Sequence, residues 1–216
     1  MVEKYLAKIC INKDCDNFDK IGRKIADYYK ELGNTVYFQI IDNITHGKWL
    51  TNQKVMYWGI IIDVYYNAEG YDEFVDAFMK NWKAVSNDNP SAAEFCDVYL
   101  ASEMIYREPL ERAEIITSCY EWNYSTEESL RDKVMKEHFL MEQRQKYYDY
   151  VSFQMVKQKL EDRSKRFDFF FESHVSAADG IDKIYGEEVL EEMRTHSRMF
   201  LNTDTRHLSF GVVTKY

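Results

Sequence analysis

Residues 68–83 carry the clearest periodic signal in the chain. Tyr71, Phe74, Val75, Phe78, Met79 and Trp82 fall at i, i+3, i+4, i+7, i+8 and i+11, the apolar stripe of an amphipathic helix. Glu69, Asp72, Glu73 and Asp76 line the opposite face, and carboxylates in the first turns complement the helix dipole. Phe18, Ile21, Ile25, Tyr28, Tyr29 and Leu32 predict a second helix over 17–32, closed by Gly33-Asn34. Short apolar runs predict strands at Tyr5–Asn12, Val36–Ile41 and Lys54–Tyr66, the last two separated by a polar loop, Asn43–Asn52. A helix is expected after Asn89-Pro90-Ser91, with Phe95, Val98, Tyr99 and Tyr106 inward, then a strand over Glu114–Trp122.

Beyond residue 124 the pattern turns helical. Ser125-Thr126-Glu127-Glu128 has the form of a capping box, in which a hydroxyl and a carboxylate three residues on satisfy free backbone donors. Leu130, Val134, Met141, Tyr148, Val151 and Met155 follow a near-heptad seam toward Arg166, with room for a break near Asp149–Phe153. Then come the aromatic cluster Phe167–Phe171, a loop at Gly180, a charged helix over Glu187–Phe200 and a terminal strand over Leu208–Thr214. The prediction is an α+β fold: a small sheet of four to five strands, amphipathic helices and one long C-terminal helix. Residues 1–124 form an acidic α/β portion and 125–216 a helical portion, one structural domain whose last strand rejoins the sheet. No internal repeat is visible.

Glycine and proline support the helical centre. Glycine is absent between Gly70 and Gly180, and the only prolines are Pro90 and Pro109. Strand-rich folds ordinarily use both residues in their turns. The 216 residues are 45% hydrophobic, enough for a sizeable core, and no apolar run reaches the length of a membrane helix. The first residues lack the plan of a signal peptide. Cys10, Cys15, Cys96 and Cys119 are too scattered for a disulfide scaffold or a zinc site, so they read as reduced thiols of a cytoplasmic protein.

Charge is segregated. Asp63 to Glu121 holds thirteen acidic residues against four basic, which equals the whole net charge of −9. Arg144 to Arg166 holds seven basic against three acidic. The first segment predicts a non-enzymatic interaction protein, an inhibitor or antagonist presenting an acidic surface to a basic groove on a partner protein, in part as a nucleic-acid mimic. Glu69, Asp72, Glu73, Asp76, Glu94, Asp97 and Glu103 would form the contact. The tyrosine-rich, glycine-poor composition resembles that of small phage or mobile-element accessory proteins. The second segment supplies an alternative, binding or processing of nucleic acid through Arg144, Lys146, Tyr147, Lys157, Lys159, Arg163, Lys165 and Arg166. A pI near 5.1 opposes it. The heptad seam also allows association with a second copy.

For catalysis the residues offer little. Asp63, read as the end of an apolar strand, and His46, in the preceding loop near Trp49, form a third reading: a small enzyme with its site there. His138 with Glu142, and Glu188, Glu192 and His196, have the spacing of surface ion pairs. His174 and His207 have no readable partner. Glycine-rich nucleotide loops, His-Glu-x-x-His, Gly-x-Ser-x-Gly and Cys-x-x-Cys are all absent, so neither a metal nor a cofactor is expected.

Overall fold

The computed structural model describes residues 4–50, 54–105, 110–139, 149–160, 167–176, 180–186 and 197–216. The strands are β1 (Lys4–Asn12), β2 (Thr35–Ile41), β3 (Lys54–Val55), β4 (Trp58–Tyr66), β5 (Cys96–Ile105), β6 (Arg112–Trp122), β7 (Tyr150–Lys159), β8 (Phe169–Val175) and β9 (Leu201–Lys215). The α-helices are α1 (Phe18–Glu31), α2 (Tyr71–Asp88), α3 (Pro90–Phe95), α4 (Glu128–Phe139) and α5 (Gly180–Gly186), with a 3₁₀ turn over Gly47–Leu50.

Eight strands run in the order β2-β4-β1-β5-β7-β8-β6-β9, and β9 pairs back onto β2. The sheet is therefore a closed barrel, antiparallel at every junction. The small ninth strand, β3, lies parallel to β9 through His207 and Leu208. The expected four-to-five-stranded α+β sheet with a long C-terminal helix is not what forms.

An internal repeat, unseen in the residues, organises this barrel. Residues 4–105 follow β-α-β-β-α-β through β1, α1, β2, β4, α2 and β5, with strand order β2-β4-β1-β5. Residues 112–215 follow the same plan through β6, α4, β7, β8, α5 and β9, with strand order β7-β8-β6-β9. First, second, third and fourth strands occupy matching places in both, so each half is a ferredoxin-like unit. The fourth strand of each half pairs with the second strand of the other. That double junction removes every free edge from the eight-stranded ring.

The helix expected to run toward Arg166 is broken by β7. Val151, Phe153 and Met155 lie on one face of that strand, with Tyr150, Ser152 and Gln154 on the other. Valine and methionine four apart fit a helical seam and one strand face equally well, and here the period of two prevails. Likewise the helix begun at Pro90 ends at Phe95, and Val98 and Tyr99 belong to β5. The charged segment expected as a helix lies outside the described residues over 187–196, and 197–200 leads into β9.

In the first half, Ile25 and Tyr29 of α1 and Phe74, Phe78 and Trp82 of α2 pack on the outer sheet face. In the second, Val134 and Met135 of α4 and Ile181 of α5 do so, joined by Trp49 and Leu50. The barrel interior is apolar at both ends. Cys10, Trp58, Tyr99, Cys119 and Phe170 fill one, and Tyr37, Ala113, Ile115 and Val213 the other. All four cysteines are buried and free. No helix among the described residues is long and apolar enough to cross a membrane.

Closure of the barrel depends on one glycine. A Cβ at Gly211 would stand 2.3 Å from the Ile40 carbonyl oxygen, where β9 meets β2. A backbone atom cannot swing aside as a side-chain tip can. Gly211→Ala is expected to lower stability by about 1–3 kcal/mol in urea denaturation. Wild-type stability in this variant would show that the junction yields.

Candidate functional site

Between the apolar ends, the barrel interior is polar. Lys8 (β1), Gln39 (β2), Asp63 (β4), Glu103 (β5), Gln154 (β7) and Glu172 (β8) all point inward and are at most 2% exposed. Each sits on a strand whose alternation turns it inward, away from the helices. Asp63 lies within β4 between Ile61 and Tyr65, not at the strand's end as its sequence position suggested.

Lys8 holds the centre. Its Nζ donates to Asp63 Oδ1 at 2.5 Å and to Glu172 Oε1 at 2.6 Å, and lies 5.2 Å from the Phe170 ring centroid. Gln39 Nε2 bridges the same carboxylates, 2.7 Å from Asp63 Oδ2 and 2.8 Å from Glu172 Oε1. Thr117 Oγ1 donates to Gln39 Oε1 at 3.3 Å, which fixes the orientation of that amide. Gln154 Nε2 donates to Glu172 Oε2 at 2.9 Å. Glu103 Oε1 then accepts from Tyr65 at 3.0 Å, from Tyr150 at 2.6 Å and from the Ser152 hydroxyl.

These contacts split two otherwise similar carboxyls. Burial pushes Asp63 up to about 7, and the adjacent negative charge of Glu172 adds to this. Burial acts on Glu172 in the same sense, yet Lys8, His174 and the Gln39 hydrogen bond together hold it below its ordinary value. Of the two, Asp63 is therefore the one that takes up a proton more readily. Lys8 stays charged, because two carboxylates outweigh its desolvation. Burial also raises Glu103.

His174 faces inward from β8, its ring centroid 4.2 Å from that of Tyr150, and burial pushes it down to about 4. A histidine kept neutral contributes its full stability above the unfolded value of 6.5 and loses it as pH falls toward 4. Asp63 has the opposite sign: its contribution is complete below 3.8 and is lost as pH rises through 7. His174→Gln removes the first slope alone. Between pH 4 and 6.5 its stability relative to wild type should fall with rising pH by about 1.4 kcal/mol per unit. Urea denaturation across that range checks this, and parallel curves contradict it.

Asp63 and His46 are not brought together. His46 is buried outside the barrel wall, its ring 5.4 Å from that of Phe210, with Nε2 3.3 Å from Glu114 Oε1 and Nδ1 3.6 Å from Asp182 Oδ1. Asp182 accepts from Trp49 Nε1 at 2.6 Å and Lys48 Nζ at 2.9 Å, and these hydrogen bonds lower its pKa to about 2. The cluster straps the loop after β2 to α5.

The acidic contact surface divides. Glu69, Asp72, Glu73, Asp76 and Glu94 are exposed, but Asp97 is buried and accepts from Tyr57 and Trp58, and Glu103 lies inside the barrel. Of the proposed nucleic-acid contacts, Lys157 is exposed and Lys159 half-buried at the end of β7. Arg144, Lys146, Tyr147, Arg163, Lys165 and Arg166 lie outside the described residues. Lys8, Gln39, Gln154 and Glu172 were missed in the residue pattern. For Lys8 the signal was a lone polar residue inside an apolar run, Leu6–Ile11.

No family model and no curated protein sequence matches this chain. Several solved structures share its fold across nearly its whole length. An anthrone oxidase-like protein aligns with a TM-score of 0.59 at 6% identity, over 99% of this chain and 93% of that one. A candidate monooxygenase from Fusobacterium nucleatum subsp. nucleatum aligns with a TM-score of 0.53 at 9% identity, over 99% and 93%. A variant of chlorite dismutase from Candidatus Nitrospira defluvii aligns with a TM-score of 0.53 at 8% identity, over 97% and 90%. At these identities the likeness is one of fold. The fold is one that proteins named as enzymes adopt, and two of the seven proposed contact residues are buried. Both findings overturn the reading as a non-enzymatic acidic inhibitor of phage or mobile-element type.

Proposed function

We propose that the chain is an enzyme that oxidises a small, weakly acidic molecule, with Asp63 as the base of an acid–base centre inside the barrel. One observation carries the reading: Asp63 and Glu172 share the Lys8 ammonium in a buried setting, and the Asp63 carboxyl is pushed up to about 7. An ordinary carboxylate is too weak a base to accept a proton efficiently at neutral pH, whereas a group near 7 accepts and returns one. Strongly perturbed carboxyls concentrate at functional sites.

Removing a proton from a weak acid leaves an anion that gives up electrons more readily than its parent. Such a base suits the oxidative chemistry for which the structural neighbours are named. In the simplest balance the substrate loses two electrons and two protons, the first proton passing to Asp63. Dioxygen takes both electrons and both protons as hydrogen peroxide, and Asp63 returns to carboxylate. Glu172, Gln39 and Lys8 hold the carboxyl in place throughout.

The test is a panel of phenols and enolisable ketones incubated with the purified protein in air, followed by substrate loss and peroxide formation. At least one compound should be consumed, with kcat/KM rising through a group near pH 7. No turnover across the panel, or a flat pH profile, overturns the proposal.

A further inference from the structure

The barrel interior is short of positive charge. Lys8 is the only buried ammonium among the described residues, and it pairs with Asp63 and Glu172, while the carboxyl of Glu103 is buried as well. A proton taken up by Asp63 reduces this deficit without removing it. Buried charge left uncompensated is strongly unfavourable, so the imbalance calls for a cation or a further proton.

The same region holds acceptors without donors. Glu103 Oε2 and Gln154 Oε1 are buried and have no hydrogen-bond partner among the described residues. They belong to facing side chains: residues 103 and 154 are register partners on β5 and β7, with Gln154 Nε2 3.4 Å from Glu103 Oε1. Tyr65, Tyr150 and Ser152 all donate to Glu103 Oε1, which leaves the second oxygen bare. Turning the Gln154 amide over would bring its oxygen against Glu172 Oε2, where Nε2 now donates, so its orientation is set. His174 Nδ1 is a third buried atom without a partner, and its ring packs on Tyr150. Buried polar atoms are nearly always satisfied, so orphans on neighbouring side chains indicate a missing partner.

We propose that the barrel interior binds one ammonium-sized cation bearing N–H donors, the ammonium ion or methylammonium, between Glu103 Oε2 and Gln154 Oε1. Its charge answers the deficit, and two of its N–H groups answer the two acceptors. Among the described residues no group of three His, Cys, Asp or Glu is arranged for a metal ion, which favours a cation held by directional N–H bonds. The site goes beyond the Asp63 reading and stands whether or not Asp63 is a base.

Ammonium chloride is titrated into the whole protein by calorimetry at constant ionic strength, with sodium chloride as control, and bound ¹⁵N-ammonium is followed by NMR. Saturable one-site binding of ammonium, with sodium inert, is expected. Glu103→Gln should weaken it by about tenfold or more, since a hydrogen bond to a charged group is lost. Gln154→Met, which removes the second acceptor, should weaken it as well and serves if Glu103→Gln does not fold. Absence of saturable binding, an equal response to sodium, or wild-type affinity in either folded variant overturns the proposal.

Discussion

Replacing Lys8 with methionine is expected to destabilise the protein by about 3–5 kcal/mol, against a total of roughly 5–15 kcal/mol for a domain of this kind. Methionine fills similar space, so packing is a minor part of the effect. What is lost is the cation between Asp63 Oδ1 and Glu172 Oε1, and both carboxyls stay buried behind apolar barrel ends. The variant has one escape, which is to protonate both. Its deficit should therefore shrink as pH is lowered, whereas a packing defect would not change with pH. Lys8→Met combined with Asp63→Asn should recover part of the loss, because one of the two stranded charges has gone. Urea denaturation of the single and double variants measures each effect. A Lys8→Met protein within about 0.5 kcal/mol of wild type would mean that the lysine is not holding the network.

Asp63→Asn is expected to lower kcat/KM by about 10²–10⁴-fold while the barrel still folds. The substitution keeps the shape of the side chain and removes its capacity to take a proton. It also sets the amide nitrogen against one donor, since Lys8 donates to Asp63 Oδ1 and Gln39 to Oδ2. A moderate stability loss of about 1–3 kcal/mol should accompany the change. The diagnostic part is the pH profile: the group near 7 should vanish from whatever activity remains. A variant that keeps both rate and profile would place the base elsewhere.

Several strands were legible because their apolar runs are short, rich in β-branched residues and bounded by turn residues. Tyr5–Asn12, Val36–Ile41 and Glu114–Trp122 lie within β1, β2 and β6. The helices expected at Asn17–Leu32 and Ala68–Lys83 form as α1 and α2, because each turns one apolar stripe to the sheet. The strands β5, β7 and β8 were missed for a common reason. A barrel strand packs against helices on one face and against the interior on the other, so its polar residues do not mark the solvent side. Ser152 and Gln154 are wholly buried, and their polarity imitated the outer face of a helix. The repeat was invisible because it is one of topology, carried by different residues in each half.

The site was legible only in part. Asp63 stood out as a carboxylate after three isoleucines. Its partners are distant in the chain, Gln39 by 24 residues and Lys8 by 55, and Lys8 reaches Glu172 across 164. No local spacing encodes such a cluster, which exists only once the barrel closes. His46 was chosen for its nearness in sequence, and the barrel wall separates it from Asp63.

The most direct test is a ¹³C NMR titration of the Asp63 side-chain carboxyl in the wild-type protein, assigned through Asp63→Asn. A midpoint near 7 is expected, set by burial beside Glu172, far above the ordinary 3.8. A midpoint at or below the ordinary value would contradict it, since Asp63 would then be a fixed counter-ion to Lys8 with no proton to exchange at neutral pH.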